Sequence, residues 1–178
     1  SRTALASAAS STTSPRAVLM NVAPGFMHAS SAALTRPFVS GPSAATREVV
    51  ELVHKVAALS ATVLVLGVSG TGKGLVARMI HRKSARANGP FVALNAAAIT
   101  PDRMEIALFG TEGTTGQPRR TGALEEAHGG ILYLDEVGEM PRETQNKILR
   151  VLVDQQFERA GGSKRVKVDV RIISSTAY

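Results

Sequence analysis

One stretch decides most of what this chain can become. Gly67-Val68-Ser69-Gly70-Thr71-Gly72-Lys73-Gly74 lies between an apolar strand-like run, Ala61 to Leu66, and a helix-patterned run, Leu75 to His81. Strand, glycine-rich turn, lysine and helix, in that order, form the context of a phosphate-binding loop. The glycines let backbone N–H groups turn inward around phosphate oxygens, and Gly72 removes side-chain bulk beside them. Lys73 adds a point charge, and the start of the helix adds unpaired N–H groups and the positive end of its dipole. The general pattern places Ser or Thr after the lysine to hold Mg2+. Here that residue is Gly74.

A second signal lies downstream. Ile131-Leu132-Tyr133-Leu134 is an apolar run that ends in two acids, Asp135 and Glu136. A buried parallel strand delivers carboxylates to the carboxyl edge of a sheet in this way. After a phosphate-binding loop, the first acid is the candidate Mg2+ ligand and the second is the candidate base for an attacking water. The remaining periodicity predicts helices over 44–58, from the loop to about Ser84, over 101–108, and from Pro141 to Asp154. Strands are expected at 61–66, 91–94, 131–134 and 168–173, with a hairpin over 156–167 around Gly161-Gly162. Strands alternating with helices give an α/β fold of three layers on a parallel sheet.

Together these residues resemble the AAA+ domain of the sigma-54-dependent transcription activators, the bacterial enhancer-binding proteins. The likeness runs from about Val39 to the last residue. It rests on GVSGTGKGLVARMIH (67–81), PFVALNAAAI (90–99), LFG (108–110), GALEEAHGGILYLDEVGEMPRETQNKILRVL (122–152) and FERAGGSKRVKVDVRIISSTA (157–177). It implies a P-loop NTPase core that binds ATP and Mg2+. In this family the residues at positions 68 and 74 are usually Glu, and this chain has Val68 and Gly74. The resemblance also gives Asn95 a role, as the strand-end asparagine that hydrogen-bonds the second acid, here Glu136, and gates its use.

Two departures bear on activity. Family members carry a GAFTGA loop after LFG that touches sigma-54; here the residues are Thr111-Glu112-Gly113-Thr114-Thr115-Gly116-Gln117-Pro118, a shorter stretch with no phenylalanine. The short loop and the surrounding wording are similar to NtrX-type response regulators, which are regarded as transcription regulators lacking the sigma-54-contacting motif. No contact with sigma-54 is therefore expected. At the other edge Ala177 stands where the family has the sensor-1 asparagine. By the resemblance, the last core strand, arginine fingers, helical lid and DNA-binding helix-turn-helix all follow the point where this chain stops. The expectation is a partial domain over 43–178 that binds nucleotide weakly, has ATPase activity near background when alone, and forms rings and reaches DNA only within a longer parent. Two other readings stay open: a competent ATPase that remodels sigma-54 holoenzyme, and a non-catalytic regulatory or oligomerising module.

Composition sets the outer bounds. The chain has 178 residues and no cysteine, which excludes disulfides and thiolate metal sites. Its four histidines, at 28, 54, 81 and 128, show no ligand spacing. No apolar run reaches the length of a membrane span, so a cytoplasmic location is expected. The net charge of +7 is uneven. Residues 1–47 hold four arginines and no lysine or acid, and the remainder holds 17 basic against 14 acidic residues. Residues 1–42 are rich in Ser, Ala and Thr and are expected to be a disordered tail or linker. In the family's strand order, 61–66 lies between 168–173 and a fifth strand beyond this sequence. The run 61–66 is therefore expected to be an open, aggregation-prone edge that the tail is poorly suited to cover.

Overall fold

The computed structural model describes residues 17–22, 44–116 and 118–177. Its elements are β1 (Ala17–Asn21), α1 (Ala44–Ala57), β2 (Thr62–Leu66), α2 (Lys73–Lys83), β3 (Phe91–Asn95), α3 (Pro101–Phe109), α4 (Ala123–Glu126), β4 (Ile131–Asp135), α5 (Arg142–Asp154), β5 (Gln156–Glu158), β6 (Arg165–Lys167) and β7 (Arg171–Thr176). Five strands form one sheet in the order β1-β2-β7-β4-β3, every neighbouring pair parallel. The other two, β5 and β6, form the expected antiparallel hairpin.

Period-two alternation splits the core into two layers. On β4, Ile131 and Tyr133 face α1 and α2 with Val53, Val76 and Ile80. Leu132 and Leu134 face the opposite layer, with Met104, Leu108 and Phe109 of α3 and Ile148 and Val151 of α5. A parallel strand covered on both faces must read as a continuous apolar run, and β4 does. Arg171 seals one corner. It is 5% exposed, and its guanidinium donates to the carbonyls of Val56 (2.9 Å), Ala57 (3.4 Å) and Ala61 (2.9 Å). Those oxygens end α1 and lead into β2, where helix carbonyls otherwise lack donors.

The structure corrects two expectations here. Residues 17–21, inside the segment read as a disordered tail, form β1 and pair in register with 62–66. Met20 and Val22 are fully buried in the layer with α1 and α2, and the Val22 N–H donates to the Leu66 carbonyl at 2.8 Å. The strand AVLMN has too few residues to stand out from its Ala/Ser-rich surroundings, yet its alternate side chains fill a half-built layer. β2 is therefore an interior strand, and the expected open edge is covered. The last strand is the second correction, since it runs over 171–176 and not 168–173. Residues 168–170 are held outside the sheet: the N–H groups of Val168 and Val170 go to Gln155, and that of Asp169 to His128. Pro141 sits at the N-cap of α5, one position before the first helical turn.

Candidate functional site

Four strand ends meet at the carboxyl edge of the sheet: Leu66 of β2, Thr176 of β7, Asp135 of β4 and Asn95 of β3. This is the edge where parallel α/β sheets bind ligands. The glycine-rich loop leaves β2 at Gly67 and enters α2 at Lys73. Gly70 and Gly72 have φ of 81° and 90°, a conformation costly for any side chain with a Cβ. Gly72 is the N-cap of α2 and has no side chain to satisfy the first helical N–H groups. Those donors remain available to an anion. Thr71 closes the turn, its hydroxyl donating to the Val68 carbonyl at 2.8 Å.

Lys73 is 6% exposed, yet its ammonium is fully engaged. It donates to the Gly67 carbonyl at 3.0 Å and lies 3.2 Å from Glu136 Oε1. The other Glu136 oxygen, Oε2, accepts from the Ala177 N–H at 2.9 Å. Glu136 itself has φ 54° and ψ 53°. A left-handed backbone at a residue with a side chain costs on the order of 1–3 kcal/mol and clusters at functional positions. The loop, Lys73 and Glu136 thus form one closed constellation. Val68 is half exposed on the rim, and Ser69 is also exposed.

Asn95 does not join that constellation. Its carboxamide oxygen accepts from the Ala97 N–H at 3.0 Å and caps a short 3-10 turn over Ala96–Ala98. The Asn95–Glu136 pairing implied by the resemblance is replaced here by Lys73 and the Ala177 N–H on Glu136. Asparagine at a strand end readily hydrogen-bonds its own backbone two residues on, and that local bond has won. Asn95 is nevertheless the register partner of Asp135 across β3 and β4.

Asp135 has partners that the sequence did not disclose. Tyr133 Oη donates to its Oδ1 at 2.9 Å, and Ser175 Oγ donates to the same oxygen. The two hydroxyls also lie 2.9 Å apart. Tyr133 and Ser175 are 4% and 0% exposed. Burial pushes the Tyr133 phenol up, so it keeps its proton and acts as a donor. Alternation along β4 and β7 brings these three side chains to one face of the sheet. Tyr133 was legible only as a core aromatic and Ser175 only as a polar residue near a strand end.

Arg159 ties the loop after α3, and α4, to the β5–β6 hairpin. Its side chain is 4% exposed and makes a two-pronged contact with Glu125, at 2.8 Å through Nε and Nη2. Nη1 reaches Glu112 Oε2 at 2.8 Å. The base of the loop is a bridge between Thr111 and Arg120, and Glu112 N–H donates to the Ala160 carbonyl. Above that base, Thr114, Thr115 and Gly116 are exposed, and the sequence from Thr111 to Thr121 holds no aromatic residue.

Residues 39–178 match the pattern of the sigma-54 interaction domain. The chain belongs to that family. NtrX, the nitrogen assimilation regulatory protein of Azorhizobium caulinodans, is 57% identical over 144 residues, which are 80% of this chain and 32% of that protein. Two crystal structures of NtrX from Brucella abortus, one with ADP and one with ATP, are each 64% identical over 79% of this chain. They superpose with TM-scores of 0.73 and 0.74, over 31% and 30% of the NtrX chain respectively. This member of the sigma-54 interaction domain family thus spans about a third of the length of the relatives it matches. Among the described residues, no helix is long and apolar enough to cross a membrane.

Proposed function

We propose that this chain is the AAA+ nucleotide-binding module of a cytoplasmic, NtrX-like transcription regulator, and that it binds ATP and ADP through Gly67–Gly74. One observation carries the reading. Lys73 is held in the phosphate loop by the Gly67 carbonyl while its charge is shared with Glu136. A lysine so buried is stable only because it has these partners, and phosphate oxygens are better ones. The NtrX structures with ADP and ATP, at 64% identity, support the same ligands.

The donor set also suits Mg2+. That ion takes one or two carboxylates and draws its other ligands from phosphates and water. Asp135, at the end of β4, offers one carboxylate. Mg2+ held there would supply positive charge against the phosphate oxygens. The chain's own residues do the rest. Lys73 moves from Glu136 to the terminal phosphates, and Glu136 is released to orient and deprotonate a water. In that state we read Asn95, the register neighbour of Asp135, as the residue that would leave its local bond to Ala97 and receive the freed carboxylate. The loop over 111–118 has no apolar finger, so the regulator is read as controlling promoters without engaging sigma-54. Ring assembly and DNA contact belong to the longer protein.

Calorimetry with ATP and ADP tests the reading. Binding is expected in the native chain and is expected to vanish in Lys73→Ala, which removes the main charge on the phosphates. Equal heats for the two proteins would overturn it.

A further inference from the structure

The general phosphate-loop pattern places a metal-binding hydroxyl at position 74, the resembling family usually has Glu there, and this chain has glycine with no side chain at all. The space is not simply empty. A Cβ built on Gly74 would lie 3.7 Å from the Tyr133 ring and 3.8 Å from Tyr133 Oη. The phenol therefore reaches, from β4, the region that a Ser or Thr side chain would enter from α2. It arrives on a fixed ring: Phe91 stacks on Tyr133 at 6.1 Å between centroids and 19° between planes.

The same hydroxyl orients the candidate metal ligand. Tyr133 and Ser175 both engage Oδ1 of Asp135, and the two hydroxyls contact each other. A carboxylate held by one oxygen cannot rotate freely, and its Oδ2 is left to a cation. Hydroxyl partners of a ligating carboxylate fix its direction, and losing such an outer partner typically costs metal affinity.

We propose that Tyr133, with Ser175 behind it, is a positioning residue for the divalent cation that accompanies the nucleotide, standing in for the side chain absent at Gly74. The inference rests on the nucleotide-binding reading above. It predicts a specific dependence on metal, which a merely structural tyrosine would not produce.

The test is calorimetric titration of ATP in Mg2+ and, separately, in excess EDTA. In the native chain Mg2+ should tighten binding. Tyr133→Phe keeps the ring, its stacking and its volume. It should leave metal-free ATP binding unchanged and reduce the Mg2+ enhancement by about 10–100-fold, the range for loss of an outer partner of a metal ligand. Gly74→Ser adds a side chain at an ordinary contact distance from the ring. In the double variant Tyr133→Phe/Gly74→Ser the added hydroxyl should restore the Mg2+ enhancement. Identical Mg2+ enhancement in native and Tyr133→Phe proteins would overturn the proposal, as would a deficit equal with and without Mg2+ or a failure of Gly74→Ser to rescue. Absence of ATP binding by the native chain under both conditions would instead remove the nucleotide reading itself, and this inference with it.

Discussion

Replacing Arg159 with methionine gives a measurable test of how the loop after α3 is held. The substitution preserves much of the apolar stem and deletes the guanidinium, which makes three 2.8 Å contacts with Glu125 and Glu112. Removing one partner of a buried ion pair costs about 3–5 kcal/mol, because the other charge is left in a poor environment. Here the stranded carboxylates keep some water: Glu125 is 14% and Glu112 34% exposed. That relief lowers the expected loss to about 2–3 kcal/mol. For a domain of this size, a loss of 1 kcal/mol lowers Tm by about 2–4 °C, so Arg159→Met should melt about 4–12 °C lower. The loss should also depend on pH. The hydrogen bond from Arg159 holds the Glu125 carboxyl below its ordinary value of 4.5. A depressed folded value means that the stabilisation is complete above the unfolded value and is lost as pH falls through the folded one. The gap between native and variant Tm should therefore be full at pH 7 and shrink progressively below about pH 4.5. Thermal melts from pH 7 to pH 3 measure both effects. A Tm change under about 2 °C, or a gap that stays constant into acid, would refute the assignment of Arg159 as the clasp.

Two further outcomes follow from the site and the sheet. Glu136→Gln removes the charge that holds Lys73 away from phosphate. It should tighten ATP binding by about fivefold, corresponding to roughly 1 kcal/mol for a pair whose lysine is buried and whose carboxylate keeps some water, while lowering any turnover. Unchanged or weaker affinity in calorimetry would show that the pair does not compete with phosphate. Met20→Lys places a charge in the fully buried position that seats β1 on α1 and β2. Losing β1 should open the β2 edge and cause concentration-dependent association in sedimentation. A variant that stays monomeric, with β2 amides still protected from hydrogen exchange, would show that β1 is not what covers that edge.

Local pattern was enough for the parts of this fold that the chain specifies within a few turns. Residues 61–83 read as strand, loop and helix because apolar alternation, glycines and a helical period follow one another without interruption. The run ILYLDE at 131–136 read as a buried strand ending in acids for the same reason, and the hairpin around Gly161-Gly162 followed from its turn residues. From those segments the nature of the edge that gathers Lys73, Asp135 and Glu136 was already legible.

What could not be read locally depends on which strands become neighbours. β1 carries a weak pattern and forms because Met20 and Val22 complete a layer that β2 and α1 leave half covered. β7 starts three residues late because Gln155 and His128 take up the preceding N–H groups, across a turn no sequence window contains. Asn95 caps its own chain because a bond two residues away is available without closing a long loop. Tyr133 and Ser175 meet at Asp135 only because β4 and β7 pair in a register that puts their side chains on one face. Residue type and spacing determined that this chain has a glycine-rich strand–loop–helix turn with a lysine, and two acids at the same sheet edge. Strand pairing, which brings together residues some forty positions apart, decided which side chains hold those acids and which strand covers the outer edge of β2.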